Sequence, residues 1–146
     1  MPDFSLPATG GEPWRLKDAA GKKLVIYFYP KDMTAGCTRE SQDFRDLVAA
    51  FRKAGTQIVG ISRDSVTSHQ KFTEKEQLPF PLLSDTDEKV CKLFDVIQEK
   101  SLYGRKYLGI ERSTFLLDSK GVLRHEWRKV KVPGHAEEVL EAAKSL

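Results

Sequence analysis

Apolar positions divide the chain into strands and helices in near-regular alternation. Leu24 to Tyr29 is a continuous apolar, β-branched and aromatic run that stops at Pro30. Proline cannot donate to a sheet ladder, so the run predicts a buried strand cut off by a turn. Beyond it, Phe44, Leu47, Val48 and Phe51 recur at helical spacing, predicting one face of an amphipathic helix that begins near Thr38. Ala54-Gly55 closes that helix, and Gln57 to Ser62 predicts the next buried strand through Ile58, Val59 and Ile61. Strand, crossover helix and strand imply a parallel βαβ unit.

The pattern extends to both ends. Phe4 to Leu6 and Trp14 to Leu16 predict a short opening hairpin. Asp64 and Ser65 are candidate caps for a second helix to about Gln77, which Leu78-Pro79 ends. Phe80 to Ser84 reads as a short extended piece. Asp85 to Ile97 reads as a third helix with Val90, Leu93 and Phe94 on one face. Gln98 to Ile110 is polar and glycine-punctuated, which predicts a surface loop. Ser113 to Leu117 and Val122 to Trp127 flank Asp118-Ser119-Lys120-Gly121, a hairpin signal. His135 to Leu146 is the final helix, with Val139, Leu140 and Ala143 facing inward. No repeat or linker interrupts this order, and by itself it supports a three-layer α/β arrangement.

Length and charge narrow the function classes. A chain of 146 residues suits one domain, residues 1–146, with a core that needs no staples. The net charge of +3 comes from interspersed Lys, Arg, Asp and Glu, with no basic run among aromatics, which argues against nucleic acid. No stretch is long and apolar enough to span a bilayer, and no basic-then-apolar signal opens the chain, so no membrane partner is expected. Two cysteines do not make a disulfide framework, and a cytoplasmic, reducing setting is the expectation. His69, His125 and His135 show no metal-ligand spacing and read as surface or packing residues. No glycine-rich phosphate loop follows a strand, so no nucleotide cofactor is expected.

Cys37 is the candidate for chemistry. It falls where a strand has ended and a helix is starting. Amides there lack intrahelical partners and the macrodipole is positive, which favours the thiolate, the reactive form. Thr34, three residues earlier, can bring a hydroxyl beside the sulfur, and Gly36 lets a substrate approach the backbone. The plainer alternative is a small buried hydrophobe after a loop, and the strand-to-helix setting weighs against it.

Pro30, Thr34 and Cys37 reproduce the Pro-x-x-x-Thr/Ser-x-x-Cys motif of peroxiredoxins. The wider context, Phe28-Tyr29-Pro30-Lys31-Asp32-Met33-Thr34 with Cys37-Thr38 and Asp43-Phe44-Arg45-Asp46, resembles the bacterioferritin-comigratory-protein, or peroxiredoxin Q, branch. The resemblance runs from Asp3-Phe4-Ser5-Leu6-Pro7 to Gly109-Ile110-Glu111-Arg112-Ser113-Thr114-Phe115. The chain opens a few residues later than members of that branch usually do, which implies a shortened edge strand or a trimmed start.

The resemblance implies a thioredoxin-like α/β fold with a mixed central sheet flanked by helices. It implies a cofactor-free, thiol-dependent peroxidase acting on hydrogen peroxide and small organic hydroperoxides. By similarity, Cys37 is the peroxidatic nucleophile that becomes sulfenic acid, and the Thr34 hydroxyl bonds both thiolate and peroxide. Arg112 favours the thiolate and holds the leaving oxygen. Gly36 and Cys37 supply amide donors, and Pro30 shields the sulfur from water. Taken singly, Thr34 could be a helix cap and Arg112 a surface charge beside Glu111; the matched Glu111 to Phe115 context favours the catalytic reading.

The sequence departs from the branch at resolution. A resolving cysteine is common five residues after the peroxidatic one, where this chain has Gln42, or in the second helix near Thr73. Ala35 replaces a common proline. Cys91 is the other thiol; its neighbours Val90, Leu93 and Phe94 suit a core cysteine, with intramolecular resolution as the alternative. A one-cysteine mechanism is expected, reduced by thioredoxin, glutaredoxin or glutathione, in a chain that resembles monomeric members. A disulfide oxidoreductase would need Cys-x-x-Cys, which Gly36-Cys37-Thr38-Arg39-Glu40 does not supply. A redox sensor that oxidises without rapid recycling is the competing class.

Overall fold

The computed structural model describes residues 3–146. Its central sheet has five strands in the order β5-β4-β3-β8-β9. They are β3 (Lys23–Phe28), β4 (Thr56–Ser62), β5 (Leu82–Ser84), β8 (Ser113–Leu117) and β9 (Leu123–Arg128). β3, β4 and β5 run parallel, whereas β8 is antiparallel to both β3 and β9, so the sheet is mixed.

β3 is the middle strand because its side chains are buried on both faces. Leu24, Ile26 and Phe28 enter one apolar cluster, with Phe94, Val96, Phe115 and Cys91. Val25, Tyr27 and Tyr29 enter the other, with Phe44, Phe51, Phe72, Val139 and Cys37. Gly60 in β4 gives Tyr27 its room: a Cβ there would stand 2.8 Å from the phenol ring.

The helices are α1 (Ala35–Asp46), α2 (Val48–Lys53), α3 (Val66–Glu76), α4 (Lys89–Leu93) and α5 (His135–Lys144). The first predicted helix is thus two segments that meet at Leu47, whose amide bonds back to Phe44 rather than a full turn. Its apolar face is continuous across the break, since Phe44 and Phe51 are both fully buried. Ser65 caps α3 as expected, accepting from the Ser68 amide at 3.1 Å. β1 (Ser5–Leu6) and β2 (Trp14–Arg15) form the expected opening hairpin, followed by a 3-10 turn at Leu16–Ala19.

Two expectations fail. The helix predicted from Asp85 to Ile97 is only the five residues of α4. Asp85 turns its carboxylate onto the amides of Val90 and Cys91 at 3.2 and 2.7 Å, and Glu88 and Asp95 adopt left-handed backbone at either side. The loop predicted over 98–110 is a hairpin of β6 (Ile97–Leu102) and β7 (Arg105–Ile110). Tyr103 and Gly104, with φ of 51° and 77°, make its two-residue turn. β7 is exposed along most of its length, so no alternation of apolar and polar residues marked it.

Candidate active site

The site forms where register brings two distant stretches together. Phe28, the last residue of β3, pairs with Ser113, the first of β8, and the strands are antiparallel. Arg112 therefore lies beside the loop that leaves β3, although it is 75 residues from Cys37. That loop carries Pro30, which is half-buried, and ends at Thr34, the residue before α1.

Cys37 is in the first turn of α1 and is 1% exposed. The first intrahelical bond is from the Thr38 amide to the Thr34 carbonyl, so the amides of Gly36 and Cys37 belong to the unpaired helix start. Arg112 donates from Nη2 to Cys37 Sγ at 3.3 Å and from Nη1 to Glu40 Oε1 at 2.7 Å. One guanidinium thus spans two groups on a single helix turn. Gly36 makes this approach possible, because a Cβ there would lie 3.2 Å from Arg112 Nη2. The close neighbour of Gly36 is therefore the arginine.

Electrostatics at the site are set by burial. Glu40 is almost wholly enclosed, and burial raises its carboxyl to about 7 against the opposing pull of Arg112. Its second oxygen, Oε2, has no hydrogen-bond partner. Burial works against the Arg112 charge, but Glu40 and then Cys37 outweigh it and the arginine pKa is raised. Arg112 stays a cation while Glu40 can exchange a proton beside it.

Thr34 does not fill either of its expected places here. Its hydroxyl donates to the Lys31 carbonyl at 2.8 Å and makes no side-chain cap to α1. Cys91 lies in α4, in the apolar cluster across the sheet from Cys37. Burial and then Asp85 push its thiol far up, which leaves little thiolate.

The histidines need correction. His69 is no surface or simple packing residue: it is fully buried and hydrogen-bonded to Asp32 at 2.7 Å. His135 is buried too, bonded to Thr114 at 2.8 Å, and burial lowers it to about 4. Sequence reading also passed over Glu40, although its place three residues after Cys37 puts it on the same helix face.

A thioredoxin-like sheet that sets a buried cysteine at a helix start beside an arginine defines a thiol-based redox enzyme. The AhpC/TSA family matches residues 1–126, and the chain belongs to it. It is 55% identical over 98% of its length to peroxiredoxin Bcp of Xanthomonas campestris, covering 89% of that protein. It is 52% identical over 95% of its length to a putative peroxiredoxin Bcp of Coxiella burnetii, covering 92% of it. A solved structure of the X. campestris bacterioferritin comigratory protein, described for its alkyl peroxide reduction, superposes with a TM-score of 0.93. That match has 54% identity over 97% of this chain and 90% of the other. The protein is a peroxiredoxin, a thiol-dependent peroxidase that takes a peroxide and a thiol reductant. Among the described residues, no helix is long and apolar enough to cross a membrane.

Proposed function

We propose that the chain is a one-cysteine peroxidase for hydrogen peroxide and small organic hydroperoxides, recycled by an external thiol. The Cys37 thiolate attacks one peroxide oxygen, the O–O bond breaks, and the other oxygen leaves as alcohol or water after taking a proton. Cys37 is left as sulfenic acid. Arg112 and the amides of Gly36 and Cys37 stabilise charge on the departing oxygen, Thr34 orients the peroxide after leaving Lys31, and Pro30 limits water. A reductant thiol then attacks the sulfenic sulfur and releases water. A second thiol splits the mixed disulfide, and Cys37 returns to thiol.

One observation carries the one-cysteine reading: the two free thiols belong to apolar clusters on opposite faces of the central sheet. Bringing them within bonding distance would require α4 to leave its core. The two positions expected for a resolving thiol hold other residues, Gln42, bonded to Glu76 at 2.7 Å, and Thr73 on α3. The reductant is a glutathione-, glutaredoxin- or thioredoxin-type thiol in a cytoplasmic, reducing setting. The chain acts as one domain and as a monomer.

The test is oxidation with one equivalent of hydrogen peroxide, followed by intact mass and a sulfenic-acid trap, on wild type and Cys91→Ser. A trapped sulfenic acid at Cys37 in both supports the reading. Loss of two hydrogens in wild type only, without dimer, means that Cys91 resolves. Rapid oxidation with no turnover on any of the three thiol classes makes the protein a redox sensor.

A further inference from the structure

A buried polar cluster lies at the loop that precedes Cys37, and the peroxidase chemistry above does not use it. Its centre is Asp32, whose side chain is 1% exposed. Asp32 Oδ1 accepts from the Tyr29 hydroxyl at 2.5 Å. Oδ2 accepts from the Ser68 hydroxyl at 2.8 Å and contacts His69 Nδ1 at 2.7 Å. His69 Nε2 lies 3.0 Å from the Leu83 carbonyl oxygen. The Asp32 amide donates to Asp64 Oδ2 at 2.9 Å, and Asp64 in turn accepts from Ser62 at 2.6 Å. One carboxylate therefore joins the residue that follows β3, the loop, α3 and, through the histidine, β5.

The donors and acceptors fix the histidine's role. A carbonyl oxygen only accepts, so Nε2 must carry a proton. The Tyr29 hydroxyl that bonds Asp32 also lies 3.3 Å from His69 Nδ1, so three side chains close on one point. His69 and Asp32 therefore form a hydrogen-bonded pair closed off from water. A buried pair of this kind is costly to break from one side, because the remaining polar group loses its partner.

The cluster bears on Cys37 because it anchors the loop that leads into α1. That helix has no side-chain N-cap bond, and the Thr34 hydroxyl turns back to Lys31. Between Asp32 and the helix stand Met33, in left-handed backbone with φ of 61°, and Thr34. The last firmly held point before the catalytic turn is Asp32.

We propose that Asp32 and His69 are positioning residues for peroxide reduction: their buried, hydrogen-bonded pair holds the 30–34 loop so that Thr34, Gly36 and Cys37 meet Arg112 in register. The proposal rests on the reading of Cys37 as the peroxidatic nucleophile. Small misplacements of a reacting group can cost about a hundredfold in rate. Breaking the pair should therefore slow oxidation of Cys37 far more than it alters the fold.

The test has two arms. Long-range proton–nitrogen NMR of wild type, recorded without peroxide, should show the His69 ring fixed with its proton on Nε2 toward Leu83; a ring that averages between tautomers, or an Nε2 without a proton, overturns the proposal. This arm is independent of which cysteine reacts. In the second arm, Asp32→Asn and the milder Tyr29→Phe are compared with wild type in stopped-flow oxidation by hydrogen peroxide and in alkylation of Cys37 by iodoacetamide. The expected result is oxidation slowed roughly tenfold to a hundredfold in Asp32→Asn and less in Tyr29→Phe, with alkylation no slower. Wild-type oxidation in folded Tyr29→Phe and Asp32→Asn overturns it, as does a loss that merely follows the folded fraction measured by circular dichroism. Peroxide that leaves wild-type Cys37 unoxidised would instead sink the assignment of the nucleophile.

Discussion

Arg112 reaches Cys37 with one arm of its guanidinium, Nη2 standing 3.3 Å from Sγ, while the other arm is held by Glu40. The planar group can serve both because its donors diverge in a fixed plane; a lysine ammonium has the charge without that geometry. Arg112→Ala should slow oxidation of Cys37 by roughly a hundredfold to a thousandfold, the range for losing one donor to a developing oxyanion. Arg112→Lys should fall between that variant and wild type. Stopped-flow oxidation with hydrogen peroxide measures both, and a wild-type rate in Arg112→Ala would remove the arginine from the chemistry.

Gly36→Ala separates stability from activity. Position 36 is helical and exposed, so alanine should stabilise α1 by up to about 1 kcal/mol. The new Cβ would stand 3.2 Å from Arg112 Nη2, and the guanidinium is the part able to yield. Thermal denaturation should show an equal or higher midpoint while peroxide oxidation slows. A variant with both properties unimproved and activity intact would show that the arginine has room to spare.

The fold was legible wherever burial imposed a period. Strand β3, strand β4, the capped α3, the β8–β9 hairpin and α5 were all readable from apolar runs, caps and turn residues. The β6–β7 hairpin was not, because a ribbon exposed on both sides has no reason to alternate. Nor was the short α4, since Asp85 bends its carboxylate onto amides five and six residues ahead, a tertiary choice that local propensity does not encode. Cys37, Thr34 and Gly36 were singled out by the strand-to-helix setting and Pro30 and Arg112 by motif resemblance, and strand register explains the meeting of Cys37 with Arg112. The burial of Glu40, Asp32 and His69 was missed because a buried polar side chain looks, in sequence, like any surface one.

Glu40 gives the protein a stability that depends on pH. Its carboxyl is raised from 4.5 to about 7, chiefly by burial, so the folded state binds its proton more readily than the unfolded chain. The contribution is fully present below 4.5 and is lost as pH rises through about 7. Glu40→Gln cannot titrate there. Between about pH 5 and about pH 8, wild type should lose up to about 3 kcal/mol relative to this variant. Urea denaturation of both proteins at the two pH values reads the difference. An identical pH response would mean that Glu40 keeps its charge throughout, neutralised by Arg112.

Cys91 should be dispensable for turnover and useful for stability. It is wholly buried among Val90, Phe94 and Val96, and its thiol is pushed far up by burial and Asp85. Serine there places a hydroxyl in an apolar cluster, at a cost of about 1–3 kcal/mol. Cys91→Ser should therefore unfold at lower denaturant concentration, yet consume peroxide with an external thiol at the wild-type rate when assayed well below its unfolding transition. Cys91→Ala provides the control without a buried hydroxyl. If both variants stay folded and stop after one turnover, α4 must open during the cycle and the second thiol takes part in the chemistry.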